Sequence, residues 1–263
     1  MYQLPCVSNG VKFTERSNRG HILNCPVCQA DQQQPFGEKN EFVMVQCQQC
    51  DLVWVDPMPA GEVLTEFYEN YHKTGQYTRK AASKTRRAKK RIRRQGRLVM
   101  GQRFVDVGCN AGFAVEAARQ LGYQALGIDI DSVAIVAAQE QFPDAEFRVQ
   151  AVQDLAAEGH TFDLIYCSEV IEHLPELDSF VAALCQLMHE HSVLYLTTPD
   201  LGHFKLRWPF WQGSVLEWDA IRPPEHLFYF RRGNLARLLQ QHGLSRVHFE
   251  ASLQPTLKVR AQR

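Results

Sequence analysis

The sequence predicts an α/β fold in which helices cover both faces of a mostly parallel sheet, with a small cysteine-rich unit ahead of it. From residue 103 onward, short β-branched runs alternate with segments of helical period, which is typical of such a sheet. Ahead of them, two Cys-x-x-Cys pairs are separated by 18 residues. A length of 263 residues accommodates one large domain, or one medium domain with a small appendage.

The elements follow in three predicted regions. Residues 1–60 contain the cysteine pairs, residues 61–98 form a helical linker with a basic segment, and residues 99–263 form the α/β domain. Strands are expected near 41–45, 52–55, 103–107, 124–129, 145–149, 162–167, 192–197, 245–250 and 256–261, and helices near 112–121, 131–141, 178–189 and 232–242. No full helix separates the last two strands, so we expect an antiparallel hairpin at one edge of a seven-stranded sheet.

The four paired cysteines, Cys25, Cys28, Cys47 and Cys50, predict a small zinc ribbon. Their spacing lies in the range of four-thiolate zinc sites. Such a site leaves no open position for water, so its role is structural. Because a region this short builds little core, the metal would supply stability. The alternative is four unrelated buried cysteines.

Composition limits the compartment and the class of protein. Eight cysteines without a basic and apolar signal segment at the N-terminus favour reduced thiols or metal binding over disulfides. No apolar run approaches the roughly twenty residues of a membrane span. We therefore predict a cytoplasmic protein. The formal net charge is zero, but eleven lysines and arginines are concentrated in residues 79–97.

Residues 103–112 predict a nucleoside site. A β-branched strand ends in Asp106 and a turn that contains Gly108, Asn110 and Gly112, and a second strand ends at Asp129. Glycines let the backbone approach a ligand, and an acid at the end of the second strand can accept both ribose hydroxyls. Asparagine tolerates positive φ better than other non-glycine residues, so Asn110 fits the turn.

This turn, with an acid two residues before its first glycine, resembles motif I of class I S-adenosylmethionine (AdoMet) methyltransferases, with Asn110 where the family usually has glycine. Residues 162–174, 194–200 and 222–230 are similar to that family's fourth strand with its loop, fifth strand and late motif. Together with the cysteine pairs, the chain resembles bacterial members that carry an N-terminal zinc ribbon. The resemblance implies a Rossmann-like class I methyltransferase fold and AdoMet as the methyl donor.

Together with the chemistry of AdoMet, this resemblance implies which residues bind the cofactor. Asp129 would accept the ribose hydroxyls, and Val152 and Gln153 would bind the adenine, with Asp154 as an alternative contact. Cys167 and Ser168 would flank the methionine part. The predicted set is Asp106, Gly108, Asn110, Gly112, Asp129, Ile130, Val152, Gln153, Cys167 and Ser168.

Glu172, His173 and His226 are the predicted catalytic residues. If residues 169–173 form a helical turn, Glu169, Glu172 and His173 share one face. A histidine with a pKa near its ordinary ~6.5 suits proton removal. The same pattern resembles the metal-binding face of RNA 3′-end 2′-O-methyltransferases, so a divalent cation at Glu169, Glu172, His173 and His226 is one alternative. Simple loop packing is another.

Two further segments are candidates for acceptor recognition. Residues 202–218 form an aromatic insertion that we expect to be a lid. Residues 79–97 form a predicted helix with basic residues on every face, which either binds phosphates or is simply solvated.

We predict methyl transfer to a small metabolite: a carbohydrate, a nucleotide-sugar or another phosphate-bearing acceptor. The alternatives are an RNA methyltransferase that holds RNA with the ribbon and the basic helix, and a non-catalytic nucleic-acid-binding module. We expect no membrane partner, and the sequence does not indicate the oligomeric state.

Overall fold

A computed structural model of the chain describes residues 24–64, 81–207, 210 and 213–263. Residues 65–80 of the predicted helical linker therefore lie outside the described residues, as do Trp208 and Trp211 of the expected lid. Within the described residues, no helix has the length and apolar character that a membrane crossing requires.

The described elements are numbered in chain order. The strands are β1 (Gln33–Lys39), β2 (Phe42–Cys47), β3 (Val53–Val55), β4 (Arg103–Val107), β5 (Gln124–Asp129), β6 (Glu146–Val149), β7 (Phe162–Ser168), β8 (Met188–Pro199), β9 (Phe228–Tyr229), β10 (Arg246–Phe249) and β11 (Thr256–Gln262). The helices are α1 (Ala81–Gln95), α2 (Phe113–Arg119), α3 (Ser132–Gln141), α4 (Val152–Ala157), α5 (Leu177–Gln186) and α6 (Arg232–Gln241). Short 3-10 turns lie at Gly96–Leu98, Ile171–His173, Phe204–Leu206 and Val215–Glu217.

The large sheet has seven strands in the order β10-β11-β8-β7-β4-β5-β6. Strands β8, β7, β4, β5 and β6 run parallel, and β10 and β11 form the antiparallel hairpin at one edge. The predicted class I methyltransferase fold is thereby confirmed. Because β4 and β5 are neighbouring parallel strands, the turn after β4 and the acid that ends β5 lie at the same edge of the sheet.

Helix α1, which carries most of the basic segment, has one buried face. Ala88, Ile92 and Gln95 are buried, and the first two pack with Phe104 and Tyr195 of the sheet. Gln95 Nε2 donates a hydrogen bond to Glu250 Oε1 at 2.8 Å. The basic residues thus occupy the remaining faces of a helix that is fixed against the α/β core.

The small sheet combines the cysteine-rich unit with a segment from the far end of the chain. Its order is β1-β2-β3-β9, with β9 supplied by the late motif. Val53 and Trp54 pair with Tyr229 and Phe228. The N-terminal unit is therefore docked directly onto the loop that contains His226.

Four elements differ from the sequence-based expectation, and one of them is the two-residue strand β9, which was not predicted. Strand β1 was not predicted, because its residues are mostly polar and include Pro35 and Gly37, beside a bulge. Helix α4 was not predicted either, because six residues are too few to show a helical period. The helix expected at 178–189 ends at Gln186, and β8 begins at Met188.

Candidate active site

The two cysteine pairs form matching knuckles. The amide of Cys25 donates to Ala30 O, and the amide of Cys47 donates to Leu52 O, at the same spacing along the chain. The residue four positions after the first cysteine of each pair has positive φ, 63° at Gln29 and 60° at Asp51. Equivalent backbone turns thus point both pairs toward one point.

The four thiols are spaced as one tetrahedral ion requires. Cys25 Sγ lies 3.5 Å from Cys50 Sγ, and Cys28 Sγ lies 3.4 Å from Cys47 Sγ. All four sulfurs lie within 4.8 Å of one another. A zinc ion with bonds of ~2.3 Å places its sulfurs roughly 3.8 Å apart. The close Cys50 thiol lowers the pKa of Cys25 to about 5, which favours a thiolate there.

The turn after β4 depends on residues that adopt positive φ. Gly108, Asn110 and Gly112 have φ of 73°, 47° and 76°. A Cβ on Gly108 would lie 2.4 Å from the Val170 side chain, and one on Gly112 would lie 2.5 Å from the Phe147 ring. Both glycines are therefore required for steric reasons, and asparagine is the residue best suited to the third position.

The carboxylate of Asp129 is held by two backbone amides. Its Oδ2 accepts from Asn110 N at 2.8 Å, and its Oδ1 accepts from Asp131 N at 3.0 Å. Burial raises the pKa of Asp129 despite these bonds. The pKa of Asp106 is raised well above its ordinary value, first by burial and second by the charge of Asp129. Two acids thus lie close together at the edge of the sheet.

A cavity of about 810 Å³ opens beside this turn, at the carboxyl ends of β4 and β7. Its volume lies within the range of about 300–1,000 Å³ that is common for small-molecule sites. The described residues that line it are Lys84, Arg87, Ala88, Arg91, Asp106, Gly108, Cys109, Asn110, Phe113, Ala114, Tyr166, Ser168, Glu169, Gln254, Thr256 and Lys258. The cavity therefore joins the motif I turn, the end of the fourth parallel strand, the basic helix α1 and the strand β11.

A hydroxyl network lies at the end of β7. Ser168 Oγ and Thr197 Oγ1 are 2.7 Å apart, and Thr197 Oγ1 donates to Glu169 Oε1 at 2.8 Å. Glu169 has φ of 58°, an uncommon conformation for a non-glycine residue that often marks functional sites. Burial raises the pKa of Glu169.

His173 and His226 form an edge-to-face pair with ring centroids 4.7 Å apart. His173 Nδ1 lies 2.7 Å from Glu225 O, and His226 Nδ1 lies 2.8 Å from Ala220 O. These carbonyls only accept, so each Nδ1 carries the proton and each Nε2 is the basic nitrogen. Arg222 donates to His226 Nε2 from Nε at 3.3 Å and from Nη2 at 3.2 Å.

Burial disfavours the charged forms of His173, His226 and Glu172. Burial lowers the pKa of His173 to about 4, and that of His226 to about 3. Glu172 is fully buried, and burial, followed by the charge of Glu169, raises its pKa well above the ordinary value. Its Oε2 accepts from Thr198 Oγ1 at 2.9 Å. Among the described residues, Glu172 Oε1 has no hydrogen-bond partner.

Comparison with known proteins decides the family. A family profile described as a methyltransferase domain matches residues 73–248, which is more than half of the chain. The chain belongs to this methyltransferase family. The resemblance to methyltransferases that the sequence motifs indicated is thereby confirmed.

Solved structures of methyltransferases share the fold. A SAM-dependent methyltransferase from Archaeoglobus fulgidus matches with a TM-score of 0.54 and 17% identity, over 68% of this chain and 94% of that one. Magnesium protoporphyrin IX methyltransferase from Synechocystis PCC 6803, solved with SAH bound, matches with a TM-score of 0.51 and 17% identity, over 78% of this chain and 89% of that one. Identities this low establish the fold alone.

Curated relatives match a smaller part of the methyltransferase. A ubiquinone biosynthesis O-methyltransferase from Xanthomonas campestris is 37% identical over 103 residues, which is 37% of this chain and 43% of the relative. A counterpart from Xanthomonas axonopodis is 36% identical over the same share. The chain thus spans less than half the length of the curated relatives it matches.

The methyltransferase structure brings together several of the predicted cofactor residues. Asp106, Gly108, Asn110 and Ser168 line the cavity, and Asp129 is bonded to the same turn. Gly112 precedes α2, and Ile130, directly after β5, is 69% exposed.

Val152, Gln153 and Cys167 are not among the described residues that line the cavity. Val152 and Cys167 are buried in the core. Gln153 Nε2 lies 3.5 Å from Ser179 Oγ on α5. Contacts of these three residues with AdoMet stay predictions.

The predicted catalytic residues and the described part of the expected lid lie in surroundings that differ from those of the cavity-lining residues. Glu172, His173 and His226 come together, but they are not among the described residues that line the cavity, whereas Glu169 is. The Val215–Glu217 turn packs on the small sheet, where Lys39 Nζ donates to Leu216 O at 2.6 Å. Trp218 is buried, so this part of the insertion is packed against the fold.

Sequence reasoning missed Tyr166, Thr256 and Lys258 of the cavity wall, and it did not single out Arg91 within the basic segment. Arg91 Nη1 donates to Tyr166 OH at 3.2 Å. Lys84, Arg87, Ala88 and Arg91 follow an i, i+3, i+4, i+7 pattern, which could have indicated that one face of the basic helix is shared. Lys258 gives no local signal, because only the sheet register places it beside Thr197.

Proposed function

We propose that this chain transfers the methyl group of AdoMet to an oxygen atom of a small acceptor bound in the cavity. The observation that carries the proposal is the continuity of one cavity from the Gly108–Asn110 turn to Ser168 and Glu169. One end thus offers a nucleoside site, and the other offers polar groups near the expected methyl position. AdoMet would supply a sulfonium carbon activated for in-line displacement, and alignment of the acceptor would contribute much of the rate.

The residues around the motif I turn fit AdoMet. The Asp129 carboxylate, fixed by two amides, would accept the ribose hydroxyls with its remaining lone pairs. The exposed Ile130, together with Val149, which is 55% exposed, would cover the adenine ring, and Gln153 would reach its edge. Gly108 and Gly112 would let the backbone approach the methionine part, with Cys167 and Ser168 beside it.

For proton removal we propose His173 as the general base. Its Nε2 is the deprotonated nitrogen, and the lowered pKa keeps the imidazole neutral at physiological pH. A pKa of about 4 makes it a weaker base than the ordinary histidine expected from the sequence, and His173 is not among the described residues that line the cavity. His226 fits a positioning role better, because Arg222 already donates to its Nε2. Glu169, which lines the cavity, is the alternative base, since burial raises its pKa toward the range that general bases use.

A divalent cation at the histidine pair is a second form of the same mechanism. The ligand atoms of Glu172, His173 and His226 lie within 4.8 Å of one another, and Glu172 Oε1 is a buried acceptor without a partner in the described chain. Arg222 would have to leave His226 for a cation to bind. Glu169, the fourth predicted ligand, bonds Thr197 instead. The donor set thus fits a cation only in part.

We further propose that Cys25, Cys28, Cys47 and Cys50 hold one structural zinc ion, because their sulfur spacing fits a tetrahedral site. The ion would stabilise the small sheet and, through the pairing of β3 with β9, the loop that contains His226.

The most specific part of the proposal concerns the chemical class of the acceptor. Relatives named O-methyltransferases support transfer to oxygen. The cavity volume supports a small molecule over a folded RNA. Within that class, the carbohydrate, nucleotide-sugar or phosphate-bearing acceptor predicted from sequence remains our proposal, because basic and hydroxyl side chains share the cavity wall.

Substitution of the two candidate bases tests the mechanism. Once an acceptor is found by screening hydroxylated metabolites with labelled AdoMet, His173→Gln should lower kcat while AdoMet affinity is retained. Glu169→Gln provides the matched comparison. A larger loss of kcat in Glu169→Gln than in His173→Gln would transfer the role of base to Glu169. Absence of AdoMet binding by the folded protein would refute the proposed function.

A further inference from the structure

We infer that the cavity wall formed by α1 and β11 binds a phosphate group of the acceptor, through Lys84, Arg87, Arg91 and Lys258. This inference rests on the proposed function, since it concerns the acceptor end of the same cavity. It assigns a phosphoryl or pyrophosphoryl group to the acceptor, which is more specific than the proposal of a small molecule.

The geometry of α1 places three of these cations on one face. Lys84, Arg87 and Arg91 follow at i, i+3 and i+7, with Ala88 between them, and all four residues line the cavity. Ala88 is small, so the long basic side chains on either side of it can reach the same part of the cavity. Ile92 and Gln95 are buried on the adjoining face, which holds the helix in place.

The fourth cation comes from the opposite wall. Lys258 of β11 pairs in register with Thr197 of β8, and Thr197 donates to Glu169 in the cavity. Gln254 and Thr256, just before it, also line the cavity. Cations from two separate elements, accompanied by neutral hydrogen-bonding groups, thus surround the same space.

Arg87, Arg91 and Lys258 have no carboxylate partner among the described residues, whereas other basic side chains do. Arg94 pairs with Glu250 at 3.3 Å, and Arg148 pairs with Glu146 at 2.7 Å. Across the described part of the chain, no salt bridge within 4.0 Å involves Arg87, Arg91 or Lys258. Lys84 Nζ lies 5.1 Å from the centroid of the Phe113 ring.

The charge of the cavity favours an anionic ligand. Its lining contains four basic residues and two acids, Asp106 and Glu169. Arginine binds phosphate oxygens with parallel hydrogen bonds, and lysine binds them as a point charge. Arg91 is held by its bond to Tyr166 OH, so one guanidinium is already oriented.

The position of the cations favours a small ligand over RNA. A polyanion would use the outer face of α1, where Arg86, Lys90 and Arg93 are exposed. The four cations of the inference instead surround a cavity beside the expected methyl position. A phosphate there would orient an acceptor hydroxyl toward the donor.

Paired substitutions test the inference with inorganic pyrophosphate as the probe. We would titrate pyrophosphate into the protein saturated with the demethylated cofactor S-adenosylhomocysteine, at constant ionic strength, by calorimetry. Arg87→Gln and Lys258→Gln should each raise the Kd about tenfold, since each removes one charge-assisted contact. Arg93→Gln, on the outer face of the same helix, is the matched control and should leave the Kd unchanged. Arg87→Lys should restore part of the affinity.

Three results would overturn the inference. These are no pyrophosphate binding by the wild type, an equal effect of Arg93→Gln and Arg87→Gln, and a single-stranded RNA oligonucleotide that competes with pyrophosphate and depends equally on Arg93. A parallel AdoMet titration separates the two proposals: loss of pyrophosphate binding with AdoMet binding intact refutes the phosphate site alone. Absence of AdoMet binding with pyrophosphate binding intact refutes the proposed function.

Discussion

Replacement of Asp129 by alanine tests the placement of AdoMet. On the proposed placement, the substitution would remove two charge-assisted hydrogen bonds to the ribose. It also leaves the amides of Asn110 and Asp131 without the acceptors they now have at 2.8 and 3.0 Å. A hydrogen bond to a charged group contributes about 1.5–3 kcal/mol. If the net loss equals one such bond, the Kd for AdoMet rises by roughly 10- to 150-fold.

The assay is calorimetric titration of AdoMet into matched variants. Asp129→Asn keeps one acceptor oxygen but loses the charge, so its Kd should fall between those of the wild type and Asp129→Ala. Asp144→Ala is the control, because the Asp144 side chain is 81% exposed and its described partner is Arg119 rather than the motif I turn. Thermal unfolding verifies that each variant is folded. An unchanged Kd in folded Asp129→Ala would show that the ribose is bound elsewhere.

Three further predictions concern the zinc ribbon, the buried acid and the histidine pair. Freshly purified protein should contain one zinc per chain, and Cys47→Ser should lower the metal content and destabilise the small sheet; metal analysis well below one equivalent in unchelated wild type would contradict this. In the AdoMet-free protein, the raised pKa of Asp106 means that the folded state binds more protons than the unfolded state between the ordinary and the raised pKa, so the stability that Asp106 contributes falls as pH rises through that window. Asp106→Asn should therefore gain stability relative to the wild type as pH increases from about 4, and denaturant unfolding at several pH values that shows no such trend would refute the reasoning. His226→Gln should lower turnover less than His173→Gln does, because its Nε2 is already bonded to Arg222; equal steady-state losses would argue that the pair acts as one unit, as a shared cation would require.

The large sheet could be predicted because each strand carries its own signal. Apolar runs such as Phe104–Val107 are bounded by turns, and the intervening helices show a clear period. The errors occur where that signal is interrupted. His189, Glu190 and His191 break the apolar pattern at the start of β8, so the preceding helix was extended to residue 189 and the strand was expected only from residue 192. Tertiary pairing with β7, through Phe162 and Met188, decides the outcome.

The small sheet could be predicted only in part. Its cysteines and β2 have local signals, but β9 consists of two residues whose strand conformation depends on pairing with β3. Such a pairing joins positions more than 170 residues apart, and no local pattern encodes it. The docking of the ribbon beside His226 was for that reason absent from the sequence-based expectation.

The candidate site, too, could be predicted from the sequence only in part. The motif I turn and Asp129 were predicted because a positive φ and a ribose-binding acid impose residue types at fixed spacing. The convergence of His173 with His226 was also predicted, and their rings are 4.7 Å apart. The cavity wall was not predicted, because Lys258 and Arg91 line the same cavity only through the packing of α1 and β11 on the sheet.

A crystal structure of the protein with S-adenosylhomocysteine tests the central claim most directly. We predict that the ribose hydroxyls lie at hydrogen-bond distance, about 2.5–3.0 Å, from the Asp129 carboxylate. The sulfur should face the cavity that Ser168 and Glu169 line. A cofactor bound away from Asp129, or with its sulfur turned from this cavity, would contradict both the assigned site and the acceptor chemistry built on it.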